Sequence, residues 1–321
     1  MLLRRALLLF SVTGALLACS ASPQLVICEQ AEARVVLMDT ETDWSDPEAV
    51  QWEWRARENP SLTEEQRAWF EHPTDAKPVL GGEYLLITAS GGGVALVRVK
   101  DQGLLFTGYA GGNPHSAELL FDGGLVTASS TGNELQFWRL EDTQAPGQRL
   151  SFEDAHGVCW DPHTARLWAI GRTELIALAY LGTEEELPLQ VVERFPLPDP
   201  GGHDLVRAGS GALILSTHNG VWTFDPRAPG FAPYPGLAQT PDVKSVSEPI
   251  RLAGDLPTVT VRAEESWWSD TVRAAGQDWS RRLPGGQIYK SRWLLQPQPR
   301  RVGPRFSISI GFGTWLGVDP D

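Results

Sequence analysis

HSAELLFDGGLVTASSTGNELQFW (residues 115–138), HGVCWDPHTARLWAIGRTELIALAY (156–180) and HDLVRAGSGALILSTHNGVWTFD (203–225) share one grammar. Each opens on a histidine and runs through a strand-length stretch into an Asp, Pro or Gly turn. A second strand ends in small polar residues, and after another turn comes a third strand rich in aromatic or aliphatic residues. More variable fourth strands follow: QRLSFE (148–153), LQVVERFPL (189–197) and FAPYP (231–235). Strand-length runs at regular spacing between turn residues are the pattern of an all-β protein.

The same register extends both ways. Lys77 opens KPVLGGEYLLITASGGGVALVRV with LLFTGYA (104–110) as its fourth strand, and Lys244 opens KSVSEPIRLAGDLPTVTVRAEESWWSDTVRA. The starts at 77, 115, 156, 203 and 244 are separated by 38, 41, 47 and 41 residues. Four strands in about 40–45 residues is the period of a propeller blade. LVICEQ, ARVVLMD and VQWEWR near the N-terminus match second, third and fourth strands without a first. The missing strand is IYKSRWLL (288–295), with Lys290 in the basic position. The expectation is an all-β, six-bladed β-propeller closed by the C-terminal strand completing the N-terminal blade, which leaves no open sheet edge at the seam. One short helix is expected at 63–70, with Ser61 or Thr63 as cap and Glu64 and Glu65 in its first turn.

Arg4 and Arg5 precede an apolar run at 6–17, too short to span a bilayer, followed by Leu16-Leu17-Ala18-Cys19. These residues resemble a lipobox. That implies a signal peptide at 1–18, lipidation of Cys19 and a linker at 19–24 ahead of a propeller body at 25–299. Export and anchoring in the cell envelope follow, and Ser20 fits outer-membrane sorting. The formal net charge of −13 becomes −15 once Arg4 and Arg5 are removed. Such an acidic body argues against nucleic acid as a partner. Membrane contact is expected through the anchor only, and a monomer is the expected state. Cys28 and Cys159 fall in opposite blades and read as small buried apolar residues. Residues 300–321, with SISIGFG at 307–313, lie outside the repeat and read as an extra strand or a tail.

First strands line a propeller's channel, so Lys77, His115, His156, His203, Lys244 and Lys290 should ring one mouth. Tips of the second-to-third turns share that face, among them Glu29, Gln30, Ser129 and Arg172. Two ligand chemistries suit the ring. Neutral imidazoles of His115, His156 and His203 would suit a divalent metal (Zn, Mn or Ca). Imidazoles with ammoniums would suit an anionic small molecule or acidic saccharide. Against both stands local pairing: Asp75-Ala-Lys77, Asp154-Ala-His156 and Asp242-Val-Lys244 place an acid two residues before the base. Six basic groups around one axis are costly unless something negative sits among them. Glu118 and Asp204, at odd offsets from the histidines, are expected to face away from the channel, which leaves no placed general base. Trp267-Trp268 reads as core or as a sugar-stacking platform.

GGNPHSAELL, EDAHGVCWDP, LPDPGGHDLV and DVKSVS, with CEQAEARVVLMD near the start, resemble a family of bacterial secreted propeller-like proteins with no assigned activity, over residues 25–295. The resemblance implies a propeller and export. The three histidines are similar in general style to those of metal-using propeller lyases and lactonases, an analogy of fold alone. Three functions therefore stand open: a ligand-binding module, a metal-dependent lyase, lactonase or hydrolase, and an envelope interaction scaffold.

Overall fold

Six antiparallel four-stranded sheets surround one axis in the computed structural model, which describes residues 22–142, 145–249 and 256–294. The expected signal peptide at 1–18, the expected lipidation site Cys19 and residues 300–321 lie outside the described residues. The innermost strands, in blade order from the first, are Ile288–Trp293, Pro73–Val79, Pro114–Leu119, Gly157–Asp161, Asp204–Arg207 and Val243–Ser247. Each contacts the innermost strand of the next blade, the last meeting the first, so the ring is closed.

Closure takes the expected route. Ile288–Trp293 pairs antiparallel with Gln24–Glu29, setting Trp293 opposite Leu25 and Ser291 opposite Ile27. The first blade is thus built from both ends of the repeat region. Adjacent blades interleave apolar faces. Val35, Leu37 and Trp54 of blade 1 meet Leu85, Ile87, Ala95 and Val97 of blade 2. Leu135 and Phe137 of blade 3 meet Leu167, Ile176 and Leu178 of blade 4. Because both faces of a blade are covered, second and third strands read as nearly continuous apolar runs instead of alternating ones.

The link from blade 1 to blade 2 carries the helix, at Glu64–Ala68. Of the two candidate caps Thr63 serves: it accepts from Gln66 N, while Gln66 accepts from Thr63 N. Phe70, just beyond it, packs edge-on against Trp54 at 5.3 Å. Cys28 and Cys159 are buried free thiols. Burial pushes both up, Cys159 to about 12, so neither is a nucleophile at neutral pH.

Candidate ligand-binding site at the channel mouth

Strand register decides which residues share a level around the axis. Pairing with second strands aligns Asp75 (to Thr88), Ser116 (to Ala128), Gly157 (to Ile170), Asp204 (to Ser216), Ser245 (to Val261) and Ser291 (to Ile27). One residue nearer the mouth are Thr74, His115, His156, His203, Lys244 and Lys290. Five of the six expected basic residues therefore occupy one ring, and Lys77 does not: Thr74 holds its place. Lys77 sits three residues deeper, where its ammonium meets Glu118 at 3.1 Å and the carbonyl of Val158. Burial works against the Lys77 charge, but Glu118 and Asp75 outweigh it and the pKa is raised.

The backbone explains the acid-x-base pattern at Asp154 and Asp242, though not at Asp75. Residues two before the ring position have left-handed φ in five blades: His72 (55°), Asn113 (58°), Asp154 (50°), Gly201 (80°) and Asp242 (57°). Asn, Asp, His and Gly tolerate that region best. At Gly201 a Cβ would fall 2.3 Å from the His218 ring. Here the chain turns sharply past the second-to-third turn to enter the channel.

Below the ring the channel is plugged. Arg292 of blade 1 donates to Asp75 of blade 2 (3.0 Å, twice) and to Asp204 of the opposite blade 5 (2.6 and 2.7 Å). The Lys290 ammonium reaches across to Asp204 (3.2 Å) and to the carbonyls of His115 and His203. All four charged side chains are at most 2 % exposed. Burial would raise both carboxylic acids, yet Arg292 and then Lys290 outweigh it and hold both ionised. The expectation that Asp204 faces away from the channel is thus overturned. At the axis the inner strand has buried space on both sides, so an odd offset still points inward. Asp75 serves Arg292 before any lysine, and Glu118 also turns inward, to Lys77. The negative charge that a cationic ring demands is supplied by the chain itself. Arg292 was missed because its position carries Ala, Val or Leu in the other blades.

Above the plug the three imidazoles form a row. His115 and His156 ring centres are 4.3 Å apart, His156 and His203 5.4 Å, and exposed His218 extends the row by 4.9 Å. Hydrogen bonds assign the tautomers. Burial, then Asp204 and Asp75, keep the Tyr289 hydroxyl protonated, 2.8 Å from His115 Nδ1; with that hydroxyl as the donor, the His115 proton sits on Nε2. The Asp154 carboxylate accepts from His156 Nδ1 at 3.1 Å, which orients that ring. Lys244 donates to His203 Nε2 at 3.1 Å, so His203 carries its proton on Nδ1, an atom that is buried and has no partner among the described residues. Lys244 also lies 3.7 Å from Asp242, as the spacing suggested, whereas Asn113 turns to Ser130 and not to His115.

Burial, then His156, Lys290, His203 and Lys244, hold the His115 imidazolium well below its ordinary range. Burial and then Lys244 bring His203 to about 2. Burial also lowers Lys244. Unfolded histidines protonate near pH 6.5 while these two remain neutral, so the unfolded chain binds more protons and acid destabilises the fold. Stability is fully present above pH 6.5 and is lost as pH falls, by about 2–3 kcal/mol for His203 at pH 4.5. Denaturant titrations of the wild type and of His203→Gln should show the variant's loss between pH 7 and 4.5 to be smaller by that amount.

These residues do not fit a three-histidine metal centre. The His115 and His156 rings are tilted by 36° and the His156 and His203 rings meet edge-on at 79°, His115 Nδ1 and His203 Nε2 are occupied, and an ammonium adjoins the row. Among the described residues no three His, Cys, Asp or Glu side chains are grouped to hold a metal ion. Of the other expected ligand groups, Glu29 is buried and accepts from Ala31, Glu32, Arg34 and Gln287, clamping its own turn. Gln30 ties Pro73 O to Trp267 Nε1. Ser129 is buried with an unpartnered hydroxyl, and Arg172 pairs with Glu153 at 3.0 Å on the rim. Trp267, 52 % exposed with its N–H fixed, presents a ring on the mouth face, while Trp268 is half-buried.

Comparisons agree on fold and stop there. A model described as "Family of unknown function (DUF6528)" matches residues 20–299. No curated protein matches the chain. A solved protein of unknown function from Bacteroides caccae superposes with a TM-score of 0.57 at 10% identity, covering 85% of this chain and 99% of that one. A streptogramin B lyase structure gives 0.46 at 9% identity over 66% of this chain and 69% of its own.

Proposed function

The chain belongs to the DUF6528 family, which carries no activity to inherit, and we propose from the site itself that it binds an anionic small molecule or acidic saccharide at the channel mouth. The carrying observation is His203: its Nδ1–H is buried and unpartnered among the described residues, on a ring whose Nε2 accepts from the Lys244 ammonium. An unmade hydrogen bond of that kind costs about 1–3 kcal/mol. A ligand oxygen bearing negative charge would satisfy it and weaken the cationic field that, second to burial, lowers His115 and His203. His115 Nε2–H adds a donor, and the exposed Trp267 ring suits the apolar face of a sugar. With the channel plugged, the ligand sits on the mouth and does not pass through.

Thermal unfolding of the full chain with phosphate, citrate or galacturonate checks this. Saturation at about 100-fold over Kd should stabilise by about 2.7 kcal/mol. Lys244→Ala should abolish the gain, and equal stabilisation of wild type and variant would refute the reading. Export and lipidation at Cys19 belong to the same proposal, since they would display the mouth in the envelope to an external ligand; loss of membrane fractionation in Cys19→Ala is the expected result. A second, enzymatic reading rests on Asp154–His156, an imidazole oriented through Nδ1 by a carboxylate, an arrangement suited to proton abstraction beside a substrate carboxylate. A His156→Gln variant that still binds a galacturonate oligomer, while wild type alone removes its C5 proton, breaks the 4-O-glycosidic bond, releases the leaving oxygen protonated by solvent and leaves a 4,5-unsaturated end, would establish that reading.

A further inference from the structure

The opposite face carries an apolar patch with no partner among the described residues. Phe121, in the first turn of blade 3, is 57 % exposed; Leu181 (48 %) and Leu187 (60 %) flank the last turn of blade 4. Half-buried Trp160 and Tyr180 back them, with Phe121 5.6 Å from Trp160 and 5.7 Å from Tyr180. Solvated loops rarely group such residues without something to cover them. Leu80, exposed in the first turn of blade 2, lies on the same face.

The chain leaves the propeller on that face. Innermost strands run from the mouth to the far end, so Ile288–Trp293 delivers Leu294 there, against Gly82 of the Leu80 turn. The sequence then continues for 27 residues. Within them Phe306, Ile308, Ile310 and Phe312 alternate with Ser307, Ser309 and Gly311, the period that puts all four apolar side chains on one side of an extended segment. Eleven residues separate Leu294 from Phe306, a reach of about 35 Å when extended, against a radius of gyration of about 19 Å for a domain this size. Charge agrees: Arg300, Arg301 and Arg305 precede the alternating stretch, and Glu141, Glu184, Glu185 and Glu186 are exposed beside the patch.

We propose that residues 306–312 of this chain lay their apolar side on the Phe121–Leu181–Leu187 patch of the same molecule. The tail thereby covers the face opposite the mouth and leaves the mouth free. Hydrogen exchange of the full chain, read peptide by peptide, tests this at two protein concentrations and in a Phe121→Asp/Leu187→Asp variant. Exchange across 306–312 should be slowed by about tenfold or more in the wild type, independently of concentration, and return to the unprotected rate in the variant while the innermost strands stay protected. Unprotected tail amides in the wild type would overturn the proposal. So would protection that survives the double substitution, which puts the tail elsewhere, or protection that rises with concentration, which makes a second copy the occupant. None of these outcomes bears on the mouth.

Discussion

A chain ending at Gln287 should fail to fold. It would lack the innermost strand of blade 1, exposing the edge of Gln24–Glu29 and removing Ile288, Tyr289 and Trp293 from the core. Burial of three such side chains contributes roughly 5–8 kcal/mol. Loss of Arg292 and Lys290 also leaves Asp75 and Asp204 buried without a cation, a further 3–5 kcal/mol or more. Together these exceed much of the 5–15 kcal/mol by which a domain is typically stable. The expected observation is no cooperative thermal transition and no near-ultraviolet signature of packed tryptophans. A cooperative transition within a few degrees of the full chain would mean that the N-terminal strands close the ring by another route.

Arg292→Met isolates the electrostatic part of that loss. The side chain keeps comparable bulk, but the plug goes from neutral to a net charge of −1, with Lys290 alone facing two carboxylates at 3.2 and 3.8 Å. The expected loss is about 3–5 kcal/mol, read from the denaturant midpoint at unchanged slope. Adding Asp75→Asn should recover a large share, because the remaining Lys290–Asp204 pair is again neutral. If Arg292→Met alone is neutral, the plug does not hold the two sides of the channel together as described. The sign is informative because a buried ion pair is no guarantee of stability; its strength lies in how badly one partner tolerates losing the other.

Much of this architecture is legible in the residues. Blade period, number and closure follow from turn spacing and from the lone first strand at Ile288–Trp293. The ring is legible in five of six blades. The sixth was misplaced because repeats were aligned on their basic residues, and Lys77 is a basic residue at another level. The sharper marker is the left-handed residue two before the ring, which reads His72-x-Thr74 in blade 2 as it reads Asp154-x-His156 in blade 4. Strand alternation misdirected Asp204, since a strand at the axis has no outside face. Arg292 and Asp75 converge only through closure of the ring, across a sequence separation of 217 residues, so no local pattern announces them. The same pairing removes the argument that six clustered cations require a bound anion. What remains for a ligand is smaller and better defined: His115, His156 and His203 with Lys244.

The central claim is that His115 and His203 are neutral, hold fixed tautomers and present N–H donors to an anion. The chain has six histidines, few enough for nitrogen-15 imidazole spectra of the histidine-labelled full chain at pH 7. His203 should carry its proton on Nδ1 and His115 on Nε2, and both protons should shift on titration with galacturonate or phosphate in the wild type but not in Lys244→Ala. A protonated or rapidly exchanging His203, or donor resonances unmoved by every anion tried, would contradict the account.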